Sequence, residues 1–446
     1  MLIFNADNSS TTTLSWCSQN CTPNIGFIPQ DIILNCNSTV TVPDGNDLFI
    51  EGNITGNGYT LTKAGGGALF ILGTCSSDIN VTNGNIYLGY NSVSGGPGSL
   101  TGNVSLAYGS WFFICRDADY VHNGSISGEG SLQITSAAGK TTTLTGNNTY
   151  SGETYIFGST LALGVNSTIE NSSQVYMGNN TKFDISTGNK KIKNLNSDEI
   201  INAEINLGSY TLTIGTEGEY DGGGAFFGKF TGLGGNILKY GTAEFSIIGN
   251  NSTANGTFNH NEGRTALFGN WAGNYIQTAR GALDVARSNA AINGTLILQG
   301  GCISFSFYNT KLTVDGNVAT PSGTTTIMLN EVTSSQANRV LIQAAGGLDI
   351  TKFMLAPVSN YPNANLSVNS SGTQLIFNTE SLGIEELRME NGEWRIYPNP
   401  TNGKLRIENG EWRIENVEIY DVSGRKVSSH HLIISMFRSC RRGFIC

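Results

Sequence analysis

Residues 144–164 read Leu-Thr-Gly-Asn-Asn-Thr-Tyr-Ser-Gly-Glu-Thr-Tyr-Ile-Phe-Gly-Ser-Thr-Leu-Ala-Leu-Gly, and this stretch decides the fold. Short alternating runs such as Leu161-Ala162-Leu163 place successive side chains on opposite faces of a strand. The Gly and Asn residues between them accept positive φ at tight corners. Thr211 to Ile214 and Thr295 to Leu298 repeat the texture. The plan of residues 126–164 recurs at 230–269, where Thr231-Gly232 stands for Ser127-Gly128 and Thr265 to Gly269 for Thr160 to Gly164. A third echo pairs Gly58 to Thr62 with Ser209 to Thr213. Strands this short are not stable alone. Stacked coil upon coil, about 4.8 Å apart, they share backbone hydrogen bonds and one continuous aliphatic core.

The segment at 143–164 resembles the autotransporter-associated repeat of bacterial surface proteins, and 230–269 resembles it in outline. That resemblance implies an all-β chain, a right-handed parallel β-helix (solenoid) over residues 40–377, after an N-terminal cap or fragment at 1–39. At roughly 20 to 25 residues per coil the solenoid would hold on the order of 15 coils and form a rod of about 70 Å.

Composition agrees with this and removes other classes. The 446 residues include 57 Gly and 9 Pro, and only 13% are charged, unlike helical enzymes or coiled coils. A net charge of −9 with 25 basic residues gives no nucleic-acid footprint. No run approaches the roughly 20 apolar residues of a transmembrane helix. Met1 to Ala6 lacks the basic and apolar regions of a signal peptide. Cys17, Cys21 and Cys36 leave room for a disulfide near the N-terminus, and no Cys-x-x-Cys pair suggests zinc.

Beyond a polar linker at 378–389 the texture changes. Tyr397-Pro398-Asn399-Pro400 fixes extended geometry, Asn402-Gly403 offers a turn, and Lys404 to Glu408 alternates as a half-buried strand. Val417, Ile419 and, past Gly424, Val427 repeat the pattern. Residues 390–446 thus resemble the C-terminal sorting domain of the Bacteroidetes type IX secretion system, a small Ig-like sandwich. The resemblance places Tyr397, Pro398, Asn399, Pro400, Gly403, Tyr420 and Gly424 in the sorting motif. It implies the type IX machinery as partner, and an extracellular or cell-surface location with attachment to outer-membrane lipopolysaccharide. Two departures stand out: Glu390 to Ile396 recurs as Glu408 to Ile414, and the composition from about 428 onward predicts a frameshifted or truncated tail that leaves the sandwich incomplete.

Catalytic constellations are hard to assemble. Gly223 to Lys229 resembles a phosphate loop until Phe230 stands where Ser or Thr belongs, and Gly139-Lys140-Thr141 fails likewise. His122 and His260 are poor raw material for a triad. Asp117 and Asp119 beside Arg116, and Glu217, Glu219 and Asp221, are the acidic sets a β-helical polysaccharide lyase or glycoside hydrolase would need, although Gly218 and Gly222 to Gly224 mark the second as a turn. Tyr150, Tyr155 and Tyr176 either line a glycan-binding face or stack between coils. Frequent Asn-x-Ser/Thr triplets reflect composition. The expectation is an adhesin-like or structural surface protein without catalytic residues, metal or cofactor, whose partners beyond the export machinery are extracellular glycans.

Overall fold

From Leu2–Phe4 to Phe353–Leu355 successive strands do not pair with one another; they pair in parallel with strands of the neighbouring coils, so the short runs gain ladders only by coiling. The computed structural model describes residues 25–90, 98–199, 202–249, 253–287, 290–306, 310–330, 332 and 338–379. It also describes the strands Leu2–Phe4, Thr11–Ser15, Arg395–Pro398, Leu405–Glu408, Asn416–Tyr420, Lys426–His431 and Gly443–Phe444. The architecture is all-β, a parallel β-solenoid. Among the described residues, one 3-10 turn, Ile350–Lys352, is the helical content, and no helix is long and apolar enough to cross a membrane.

Each early coil contributes one strand to each of three faces. Ile32–Leu34, Asn37–Thr41 and Asp47–Ile50 form one such coil, and Ile54–Thr55, Thr60–Ala64 and Ala68–Ile71 the next. The stack already includes Ile25–Ile28, ahead of residue 40. The third face holds nine strands from Ile25–Ile28 to Leu195–Ser197 and continues as seven more from Gly224–Phe226 to Phe353–Leu355. Inward side chains lie in register from coil to coil. Ile50, Ile71, Leu88, Ile114, Ile134, Ile156 and Met177 form one such column. All are buried in a single core that runs from Ile28 to Phe377.

The abundant Asn and Asp residues have a recurring task at the corners. The Asp31 carboxylate accepts the Asn53 N–H (2.8 Å), and the Asn53 carboxamide accepts that of Thr74 (2.9 Å). Asp78 does the same for Asn103 and Asn103 for Ser125. Asp119, Asn189, Asn236 and Asn274 serve Thr141, Thr211, Thr257 and Thr295. A side-chain oxygen thus completes the ladder where the backbone turns away, which is why these short polar residues are favoured there. Of the Asn doublets, Asn179-Asn180 meets Asn202 of the next coil, Asn179 accepting its N–H (2.9 Å) and Asn180 its side-chain amide (3.5 Å). Asn148 points inward and bonds Ile126, Gly146 and Ser167, Asn180 takes a positive φ, and Asn250-Asn251 lies outside the described residues.

The solenoid closes with a change of direction. Gln374–Asn378 runs antiparallel to Arg339–Gly346 and to Asn365–Val368, covering the last parallel edge. Leu375 and Phe377 are fully buried beneath it. Asn378, the first linker residue, belongs to this strand, and 380–389 lies outside the described residues.

Candidate functional site

Outward side chains of the third face follow the same register as the core, so each column repeats one kind of contact. Phe27, Phe49, Phe70, Tyr87 and Phe113 occupy one column. Their rings stack with centroids 5.2, 4.2, 4.4 and 4.3 Å apart. Gln133 interrupts the column, which resumes at Tyr155 and Tyr176 (5.1 Å) and ends at Asn196. Tyr155 and Tyr176 therefore do stack between coils, whereas Tyr150 is inside, fully buried, with its hydroxyl 2.6 Å from Thr154 Oγ1.

The parallel outward column two residues earlier reads Glu153, Gln174, Asn194, Gly223, Glu244 and Arg264. At Gly223 it has no side chain. Here the backbone ladder between Leu195–Ser197 and Gly224–Phe226 thins to the bond from Leu195 N–H to the Gly223 carbonyl (3.1 Å), and side chains take over the rest. Asn194 accepts from Gly223 N–H (3.0 Å), Asn196 from Ala225 N–H (3.2 Å) and Ser197 from Phe227 N–H (3.0 Å). Gly224 sits at φ 121, and a Cβ there would meet the Leu195 carbonyl, so only glycine fits. With Gly223, Gly224 and Ala243 as floor, the face opens into a cleft of about 550 Å³ walled by Glu153, Gln174, Asn194, Asn196, Glu244 and the exposed ring of Tyr220. Its polar walls are held in place: Gln174 donates to Glu153 (2.7 Å), and Asn196 donates to Gln174 (2.9 Å).

Past the cleft the face is ionic. Arg264 bridges Glu244 (3.2 Å) and the nearly buried Asp284 (2.6 Å), and Asp284 also accepts from the Ser304 and Ser306 hydroxyls. Of the acidic sets singled out in the sequence, Asp119 caps Thr141. Glu217 pairs with Arg280 (2.6 Å), and Asp221 accepts the Thr216 N–H within its own turn. Neither set forms a strand-borne carboxylate pair. Gly223 to Lys229 is strand and turn, with Lys229 paired to Glu204 (3.3 Å). His122 and His260 are both fully buried, and burial pulls them down to about 4 and about 3. His260 donates from Nε2 to the Gly263 carbonyl and accepts the Tyr275 hydroxyl at Nδ1. Among the described residues no group of three metal-ligating side chains converges. Cys75, Cys115 and Cys302 are free thiols, Cys36 is buried with its Sγ 3.8 Å from Ser38 Oγ, and Cys17 and Cys21 lie outside the described residues.

Sequence reasoning missed a corner device. Lys63 and Lys239 are buried at strand ends, two residues before a glycine with positive φ. Each ammonium donates to the carbonyls at i+1 and i+2 and to one from the following coil: Ala64, Gly65 and Asn83 for Lys63, Tyr240, Gly241 and Glu262 for Lys239. Lys190 likewise meets three carbonyls, of Gly164, Val165 and Ser167. Burial draws Lys63 and Lys239 down to about 8. The signal was available as Lys-x-Gly with the lysine on the inward parity of a strand.

In the C-terminal region, Tyr397 and Pro398 end the strand Arg395–Pro398, which pairs antiparallel with Leu405–Glu408. Tyr420 ends Asn416–Tyr420, which pairs antiparallel with Lys426–His431. Asn399, Pro400, Gly403 and Gly424 lie outside the described residues. Residues 395–438 match the family model for the secretion system C-terminal sorting domain, a match that continues past residue 428. The chain is therefore a β-solenoid with a type IX sorting tail, a secreted or cell-surface protein that engages the secretion machinery. No curated protein and no solved structure matches the chain.

Proposed function

We propose that the protein is an adhesin-like surface scaffold of a Bacteroidetes cell, which presents the outer wall of its solenoid to extracellular glycans and stays attached at the outer membrane through surface lipopolysaccharide. The occupation of its carboxylates carries this reading: Asp119, Asp221, Glu217 and Asp284 each hold a backbone N–H, an arginine or hydroxyls of the fold itself. Such groups are committed to structure, whereas a lyase or hydrolase needs a pair free to face its substrate. The regular outer columns supply an extended contact surface, and the sorting tail supplies the address. The polysaccharide-cleaving alternative is the weaker one on the same grounds.

The test incubates the full chain with a polysaccharide panel and measures both retention and new reducing ends. Retention without cleavage is the expected result; steady release of reducing ends or unsaturated products sinks the scaffold reading. Deleting residues 395–438 is expected to abolish surface exposure in a host with type IX secretion, and full exposure without them would remove the assigned role of the tail.

A further inference from the structure

We infer that the cleft at the ladder break is a subsite for a neutral saccharide, an inference that rests on the scaffold reading and gives it a place. The cleft is a shallow, open depression between the stacked rings and the Arg264 ion pairs of the third face, because Gly223, Gly224 and Ala243 leave its floor bare. Its walls alternate acceptors and donors. Glu153 and Glu244 are already engaged by Gln174 and by Arg264 and Ser246, and only their remaining lone pairs accept from a ligand. Gln174, Asn194 and Asn196 each use one amide N–H within the protein, on Glu153, on the Ser173 carbonyl and on Gln174. Each carboxamide nitrogen carries two hydrogens, so one each on Asn194 and Asn196 remains for a ligand, while Gln174 also meets the Tyr155 hydroxyl. Vicinal hydroxyls, which both donate and accept, are the chemistry that matches such a mixed set. The Tyr220 ring, 87% exposed at the rim, offers a flat apolar face to the C–H side of a pyranose.

The charge decides among saccharides. Two carboxylates line the cleft and no lysine or arginine does; Arg264 stands behind Glu244 and engages it. Arg264 is shared between Glu244 and Asp284 and leaves the wall net negative, so a uronate or sulfated sugar is disfavoured there and the ligand is uncharged. The amides are already fixed by the bonds that span the break, so ordering them on binding costs little.

The experiment measures retention of a β-glucan, a mannan and polygalacturonate by the full chain and by its Tyr220→Ala and Glu153→Gln variants, with far-UV circular dichroism and melting recorded for each. The expected result is retention of at least one neutral polymer, a tenfold or greater weakening in both variants, unchanged spectra, and no retention of polygalacturonate. Equal retention by wild type and both variants overturns the subsite while leaving the scaffold reading intact. Absence of neutral-polymer retention, or preference for polygalacturonate, overturns it as well. Reducing ends assayed in the same samples report separately on the scaffold reading, which fails only if they accumulate.

Discussion

The outer wall is dressed in two ways over one unchanged interior. From Phe27 to Phe113 its principal column is aromatic and the rings stack from coil to coil, and past Gln133 it resumes with the tilted pair Tyr155 and Tyr176. From Asn196 onward the same face carries amides, glycines and the Arg264–Asp284 network. Inside, aliphatic and aromatic side chains continue past that point in the same core, from Met177 through Leu195, Phe226, Phe245 and Leu283. The solenoid thus holds together by its interior, and its exterior is free to change character. The change falls at the ladder break, where Asn194, Asn196 and Ser197 accept the N–H groups of Gly223, Ala225 and Phe227 in place of backbone carbonyls.

This contrast can be tested by truncation on either side of one strand. Phe112 and Phe113 are neighbours in Trp111–Ile114, the first fully buried and the second in the outer column. Phe112→Ala is expected to destabilise by about 3–5 kcal/mol, and Phe113→Ala by about 1–2 kcal/mol through lost stacking and partial burial. Denaturant midpoints measure both, and equal losses would show that the outer column is part of the core.

Acid is the next largest perturbation. His122 and His260 have folded values of about 4 and about 3, below the ordinary 6.5. Between those values and 6.5 the unfolded chain binds protons that the folded chain does not, so stability falls as pH falls through that window. Each histidine contributes on the order of a few kcal/mol. His260→Gln is expected to flatten the pH dependence of melting below 6.5, and an unchanged slope would remove His260 as its source.

Within the ionic half, Arg264→Ala leaves Asp284 nearly buried beside Ser304 and Ser306 and is expected to cost about 1–2 kcal/mol. Arg280→Ala, at an exposed guanidinium that pairs with Glu217 (2.6 Å) and more loosely with the nearly buried Glu262 (3.5 Å), should cost less. A similar loss at both would show that burial of Asp284 does not set the strength of the network. Alkaline pH acts on the same scale as acid. Lys63 and Lys239 fall to about 8 from 10.5, so the unfolded chain binds more protons between those values and stability rises with pH across that window. Melting followed from pH 8 to 10, in wild type and Lys63→Met, reads the contribution.

The coil itself was legible because residues 144–164 display strand parity and corner chemistry together. The wall was not, and the reason is spacing. From Phe27 the aromatic column advances by 22, 21, 17 and 26 residues to Phe113, so no fixed period aligns its members. Corner lengths absorb the irregularity while register is kept by the inward side chains. The acidic turn at 217–221 was readable from its glycines, but its ion pair with Arg280 joins residues 63 apart, and nothing local announces it. The cleft depends on an absent side chain at Gly223, which gains meaning only when Asn194 and Glu244 are known to flank it.

The Lys-x-Gly corners carry one more consequence. Three converging carbonyls are the kind of oxygen nest that a dissolved cation fills, and here a covalently tethered ammonium occupies it. These corners bring their own counter-ion with the polypeptide, so their integrity should be indifferent to chelators and to the mineral content of whatever medium the molecule enters.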